Sequence, residues 1–128
     1  MSKTVYGTRF FVEHYYSEDK EVLRRIKEEI RESKEKCVSA IAIHEVYQLT
    51  LKREGRETAV LRTDLLEKDF KIVNIDSSIA KSSAELRHKY KTPMADSVIA
   101  ATSLSLNAVC STDDPHLKAI DEIKTKWI

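Results

Sequence analysis

The sequence predicts an α/β fold in three layers, with helices on both faces of a central, mainly parallel sheet. Three observations predict it. Short apolar runs recur at Val5-Tyr6, Cys37-Val38, Phe70 to Ile75 and Ala108 to Ser111. Between them lie longer segments with helical hydrophobic spacing and cap residues at their starts. The chain has only two glycines and two prolines, so connections are short and helix dominates. Short buried strands alternating with helices are the pattern of βα units, which build parallel sheets covered on both sides.

Taken in order, Val5 and Tyr6 form a first strand, and Thr8 caps a helix through Tyr16. Asp19 to Lys36 reads as an amphipathic helix with Val22, Leu23, Ile26 and Ile30 on one face. Its other face mixes Lys, Arg and Glu and reads as solvated surface. Cys37-Val38 is a buried strand. Ser39 is the N-cap of a helix to about Arg53, ended by Gly55. Another helix covers Glu57 to Lys68. Phe70 to Ile75 is a strand, and Asp76 caps a helix to Tyr90. Thr92-Pro93 reads as a helix start, with Thr as cap and Pro in the first helical position. Asn107 turns the chain into the strand ending at Ser111. A short helix follows Pro115, and Ile123 to Trp127 supplies a last edge strand.

At 128 residues the chain reads as a single domain, 1–128, with enough length for a real core. Charged residues make up 34% of it, against the roughly 25% usual in soluble domains. The signs nearly cancel, leaving +1, so net charge argues neither for nor against a nucleic-acid partner. Cys37 and Cys110 sit in apolar runs without CxxC spacing, which reads as reduced core thiols of a cytoplasmic protein. No leader peptide and no membrane span are expected, because no apolar stretch approaches the ~20 residues a span needs.

The chemistry-bearing residues are acids at the ends of apolar runs. Glu45 lies in Ser39-Ala-Ile-Ala-Ile-His-Glu-Val-Tyr47, Asp96 in Thr92-Pro-Met-Ala-Asp-Ser-Val-Ile-Ala-Ala-Thr102, and Asp113 and Asp114 in Ala108-Val-Cys-Ser-Thr-Asp-Asp-Pro-His116. A carboxylate beside a buried segment costs free energy unless something pairs with it. Several converging carboxylates repel one another unless a cation sits between them. Ligands of open parallel sheets bind beyond the carboxyl ends of the strands, and one crevice there can collect all of these acids. Oxygen-only ligands suit Mg²⁺ or Mn²⁺.

These motifs resemble the PIN-domain family, in particular its VapC-like toxin branch, over nearly the whole chain. Glu45 matches the family's Glu early in the helix after the second strand. Asp96 matches its helix-start Asp in Met94-Ala-Asp-Ser-Val-Ile-Ala-Ala-Thr102, and Thr112-Asp-Asp-Pro-His-Leu117 matches its final motif, with Asp114 in the acidic slot. The last two motifs are specific together. The departure is Gly7, in Thr4-Val-Tyr-Gly-Thr-Arg-Phe-Phe-Val12, where the family's first Asp is expected. Glu13 is too far into its helix to replace it.

The resemblance implies a metal-dependent ribonuclease, the toxin of a toxin–antitoxin module, acting on RNA. It implies a homodimer with a cognate antitoxin, and Mg²⁺ or Mn²⁺ held by Glu45, Asp96 and Asp114 as the catalytic acids. With Gly7 in place, one metal ion is expected rather than two. Thr8, Arg9, Thr112 and His116 are the candidate substrate-binding residues. The alternative is a catalytically weakened PIN fold acting as an RNA- or protein-binding module, a reading that Gly7 favours.

Each residue also has a plainer reading. Asp96 in a first helical turn complements the helix dipole. Glu45 could be an ordinary exposed helix residue, although Ile41, Ile43 and Val46 place part of its helix in the core. Asp114 can cap the short helix after Pro115, and Asp113 reads as its surface neighbour. Arg9 fits a phosphate contact and a surface ion pair equally. The four histidines show no zinc spacing, and His44 faces away from Glu45. Tyr15, Tyr16 and Tyr47 read as core or interface aromatics.

Overall fold

The computed structural model describes residues 3–128; residues 1 and 2 of the expected domain lie outside this range. Five strands form one sheet in the order β3-β2-β1-β4-β5, and every neighbouring pair is parallel. The strands are β1 (Thr4–Tyr6), β2 (Lys36–Ser39), β3 (Lys71–Val73), β4 (Val109–Ser111) and β5 (Thr125–Lys126). The helices are α1 (Thr8–Tyr16), α2 (Lys20–Glu32), α3 (Ala40–Glu54), α4 (Arg56–Asp69), α5 (Ser77–Tyr90), α6 (Met94–Leu106) and α7 (Pro115–Lys118).

The chain lays down β1, β2 and β3 in one direction, then returns to place β4 on the other side of β1. That reversal makes the β1–β4 boundary the switch point of the sheet, where the connecting chains diverge and leave a crevice beyond the carboxyl ends.

Alternation along the strands splits the core in two. Val5, Cys37 and Cys110 face one side and pack with Ile79, Leu86, Ile99, Leu117 and Ile120 of the chain from α5 onward. Tyr6 and Val38 face the other and pack with Phe10, Phe11, Ile26, Val46 and Leu66 of α1 to α4. The aromatic members interlock: Tyr6 lies 4.5 Å from Phe10, and Phe11 meets Phe70 edge-on at 5.3 Å. The three-layer arrangement expected from the sequence is therefore present.

The caps agree with the sequence at Ser39, which accepts from Ile41, and at Asp76, which accepts from Ile79. Asp19, expected as the first residue of its helix, is its N-cap instead and accepts from Glu21 and Val22. Gly55, at φ 94°, ends α3 and also starts α4, a left-handed conformation that favours glycine.

Two more expected starts are corrected. Gly7, not Thr8, occupies the N-cap of α1, leaving the Thr8 hydroxyl free for a tertiary partner. Pro93, not Thr92, occupies the N-cap of α6. Thr92 instead turns inward, its hydroxyl 2.5 Å from that of Ser97. The second helix also stops earlier than its pattern suggests, at Glu32 rather than Lys36. Lys36 opens β2, and its ammonium reaches back to the Ile30 carbonyl at 2.6 Å, satisfying an end-of-helix acceptor. β3 is only Lys71–Val73, shorter than the apolar run from Phe70 to Ile75.

Helix α6 is buried from Ser97 to Ser103. Its buried hydroxyls are satisfied locally: Thr102 donates to the Val98 carbonyl and Ser103 to that of Ile99. Its first turn emerges beside the switch point and carries Asp96 there.

The fully buried Phe10 anchors α1 to the sheet. Phe10→Ala is expected to lower unfolding free energy by about 3–5 kcal/mol in chemical denaturation. Leu61→Ala, at a side chain that is 62% exposed, is expected to change it by no more than about 0.5 kcal/mol.

Candidate metal centre at the switch point of the sheet

Three connections converge beyond the carboxyl ends of β1 and β4. The first runs from β1 through Gly7 into α1. The Gly7 N–H donates to the Ser111 carbonyl at 3.0 Å, so the end of β1 is tied to the end of β4. The second runs from Ser111 through Thr112, Asp113 and Asp114 into α7. Within it the Thr112 hydroxyl accepts the Asp114 N–H at 3.0 Å, and Asp114 Oδ1 accepts the His116 N–H at 2.8 Å. Pro115 at the first helical position fixes this turn. The imidazole of His116 therefore folds back over the carboxylate that caps its own helix. The third is the first turn of α6, which brings Asp96.

The result is a compact cluster. One ligand atom each from Asp96, Asp114 and His116 lies within 4.8 Å of the others. His116 Nδ1 is 3.1 Å from Asp114 Oδ1 and 3.8 Å from Asp96 Oδ2. The side chains of Asp96 and Asp114 are only 17% and 22% exposed, whereas that of His116 is 57% exposed. Burial, reinforced by the charges of Asp114 and Glu45, pushes the Asp96 carboxyl up to about 6, with His116 opposing the rise. A half-buried carboxyl held beside other acids is what a cation would relieve. Two carboxylates and an imidazole are a donor set that fits a divalent ion.

Glu45 stands beside this cluster without joining it. The Thr8 hydroxyl donates to Glu45 Oε1, holding the carboxylate at the end of β1 while its charge still acts on Asp96. Arg9 turns the other way. Its Nε lies 3.1 Å from Asp113 Oδ1 and its Nη2 2.7 Å from Glu13 Oε1. Asp113, expected as a bystander, thus anchors Arg9 at the rim, and Glu13 serves the same guanidinium. The Thr112 hydroxyl orients the Asp114 backbone.

The sequence places His116 on the substrate side; the structure places it inside the acid cluster. The signal available was the spacing Asp114-Pro115-His116, in which a capping acid draws the residue two positions on back against itself. The thiols take no part: burial pushes Cys110 up to about 12, and Cys37 is also raised by burial.

The family model for the PIN domain matches residues 8–123, and the chain belongs to the PIN-domain family. Solved structures repeat the fold. A DNA-bound VapBC complex from Salmonella typhimurium is similar at TM-score 0.80 and 16% identity, with 99% of this chain and 98% of that one covered. A toxin–antitoxin complex from Klebsiella pneumoniae is similar at 0.75 and 23% identity, covering 98% and 100%. VapC20 from Mycobacterium tuberculosis, a toxin that cleaves the sarcin–ricin loop, is similar at 0.73 and 15% identity, covering 95% and 99%. No curated protein sequence matches significantly. Among the described residues, no helix is long and apolar enough to cross a membrane.

The raised Asp96 sets a pH dependence for the metal-free protein. Its folded value, about 6, lies above the ordinary 3.8, so the folded state binds the proton more tightly. Its stabilising share is complete below pH ~4 and is lost as pH rises through ~6. In chelator, Asp96→Asn is expected to remove that loss. The variant should equal or exceed the parent at pH 7 by roughly 2–3 kcal/mol, and the gap should close near pH 4. Thermal unfolding of both proteins across this range measures it; a clear drop in Tm for the variant at pH 7 would show Asp96 to be structural instead.

Proposed function

We propose that this chain is a metal-dependent ribonuclease of the PIN type, the toxin of a toxin–antitoxin module. The observation that carries the reading is the meeting of Asp96, Asp114 and His116 at the switch point of a PIN-family fold. Net charge contributes nothing to it. The likeness in fold to VapBC complexes supports a protein antitoxin as partner; a homodimer as working form and a cytoplasmic setting belong to the same proposal.

In this reading Glu45, Asp96 and Asp114 form the catalytic group, with Asp96 and Asp114 holding Mg²⁺ or Mn²⁺ and Glu45 close by. When bound, the cation supplies charge to the phosphate and lowers the pKa of water. The chain's own residues do the rest. Glu45, with Oε1 held by Thr8, keeps Oε2 to accept the proton of the attacking water. The Asp114 carboxylate is fixed by its own capping bond and by the Thr112 hydroxyl on its backbone. Arg9, 42% exposed between Asp113 and Glu13, exchanges one carboxylate for a phosphate oxygen of RNA at the rim. Thr8, Thr112 and His116 complete the substrate-facing edge.

A second reading is favoured by one observation: Gly7 offers no side chain at the end of the central strand. That reading is a weakened nuclease acting as an RNA- or protein-binding module. Gly7→Asp separates the two. The backbone at Gly7 is extended, at φ −76° and ψ 167°, so a side chain adds no strain. A Cβ there would meet the Ser111 carbonyl oxygen at 3.4 Å and the Thr112 Cβ at 3.5 Å, ordinary contacts.

The variant is expected to bind Mg²⁺ or Mn²⁺ at least about tenfold more tightly, because a further fixed oxygen offsets the cost of shedding water. It should also cleave a generic RNA faster than the parent. Cleavage by either protein should stop in chelator and in Asp114→Asn. Absence of cleavage in both proteins with metal bound would favour the binding module.

A further inference from the structure

The cluster at the switch point is not built from oxygen alone. Among the described residues, the only group of three or more candidate ligands in mutual reach is Asp96, Asp114 and His116, and one of its three donors is a nitrogen. Gly7 brings no ligand atom, and Glu45 is engaged by Thr8 outside the group.

The Asp114 carboxylate engages His116 twice, through backbone and ring. Asp114 Oδ1 accepts the His116 backbone N–H at 2.8 Å and also lies 3.1 Å from the ring Nδ1. The short turn through Pro115 brings Nδ1 within reach of both carboxylates. Asp96 Oδ2 faces Nδ1 from a different helix at 3.8 Å. Atoms at these separations can share one ion after small side-chain rotations.

Resting on the nuclease reading above, we infer that His116 is a metal ligand through Nδ1, making this a two-carboxylate, one-imidazole centre that selects a first-row transition dication over Mg²⁺. The chemistry follows from the donors. Mg²⁺ is a hard ion that prefers oxygen and sheds water reluctantly. Imidazole suits borderline transition ions and contributes little to a hard-ion site. A site with only two carboxylates in reach has little else to hold Mg²⁺ with. With Nδ1 as ligand, the ring proton resides on Nε2, on the exposed side of the ring.

The test uses the full chain and compares the parent with His116→Ala, taking His88→Ala on α5 as an exposed control. Calorimetry with Mn²⁺, Co²⁺ and Mg²⁺ gives affinities. Pulsed electron paramagnetic resonance on the Mn²⁺-loaded protein reports a directly bound nitrogen.

Any carboxylate site ranks Mn²⁺ and Co²⁺ above Mg²⁺ to some degree, so the decisive quantity is the change on removing His116. His116→Ala is expected to weaken Mn²⁺ and Co²⁺ at least about tenfold, with less than about a threefold effect on Mg²⁺. It should also erase a nitrogen coupling that the parent and His88→Ala both show. Tight Mn²⁺ binding without nitrogen coupling, or equal losses for all three ions, overturns the inference and leaves a metal-dependent nuclease standing. Binding of no dication by the parent overturns both.

Discussion

The backbone hydrogen bonds between β1 and β4 join segments near opposite ends of the sequence. The Val109 N–H donates to the Lys3 carbonyl at one end of the pair, and the Gly7 N–H to the Ser111 carbonyl at the other. Parallel pairing makes both strands finish at the same edge of the sheet. Their following loops therefore emerge side by side, one into α1 and the other into α7. The positions of Thr8, Arg9, Asp113, Asp114 and His116 relative to one another follow from this single pairing. α6 completes the site because it packs across the sheet, deep enough to be buried from Ser97 to Ser103.

Charge is distributed against this frame in a way that works against the metal-free fold. Asp96 is raised because burial and two neighbouring acids disfavour its ionised form. Several acids elsewhere are paired with cations. Arg62 lies 2.7 Å from Glu54 and over the ring of Tyr15, tying α1, α3 and α4 together. Lys126 reaches Glu29 at 3.4 Å. Among the described residues, Asp96 and Asp114 meet only an imidazole within the same distance range. Burial and the neighbouring acids around Asp96 place an electrostatic cost at the switch point, and perturbed carboxyls of this kind cluster at functional sites.

Rigidity around the site comes from packing rather than from the charges. Tyr6, Phe10, Phe11 and Phe70 form an interlocked aromatic layer beneath α1. The first turn of α1, which carries Thr8 and Arg9, is thereby fixed to the sheet just where Glu45 receives the Thr8 hydroxyl. The turn bearing Asp114 and His116 is fixed differently, by local hydrogen bonds and a proline. One side of the site depends on the core, the other on a turn of six residues from Ser111 to His116.

Local properties of the sequence determined the elements, because they depend on near neighbours. Apolar runs marked the strands. Asp19, Ser39 and Asp76 marked helix starts through bonds two or three residues away, and Gly55 marked an end through its backbone freedom. The acids at the ends of apolar runs, together with the family resemblance, marked Glu45, Asp96 and Asp114 as the candidate site. The caps at Gly7 and Pro93 lie one residue from the hydroxyls that signal them, since a hydroxyl beside a helix start looks like a cap whether or not its side chain turns elsewhere. Thr8 turned to Glu45 and Thr92 to Ser97, tertiary partners that spacing does not reveal. Only the tertiary structure decided which acids meet. It brought Asp96 and Asp114 together, held Glu45 apart on Thr8, gave Asp113 to Arg9 and set His116 Nδ1 within reach of two carboxylates. These outcomes depend on side-chain directions across a parallel sheet, where a few ångströms separate a ligand from a bystander.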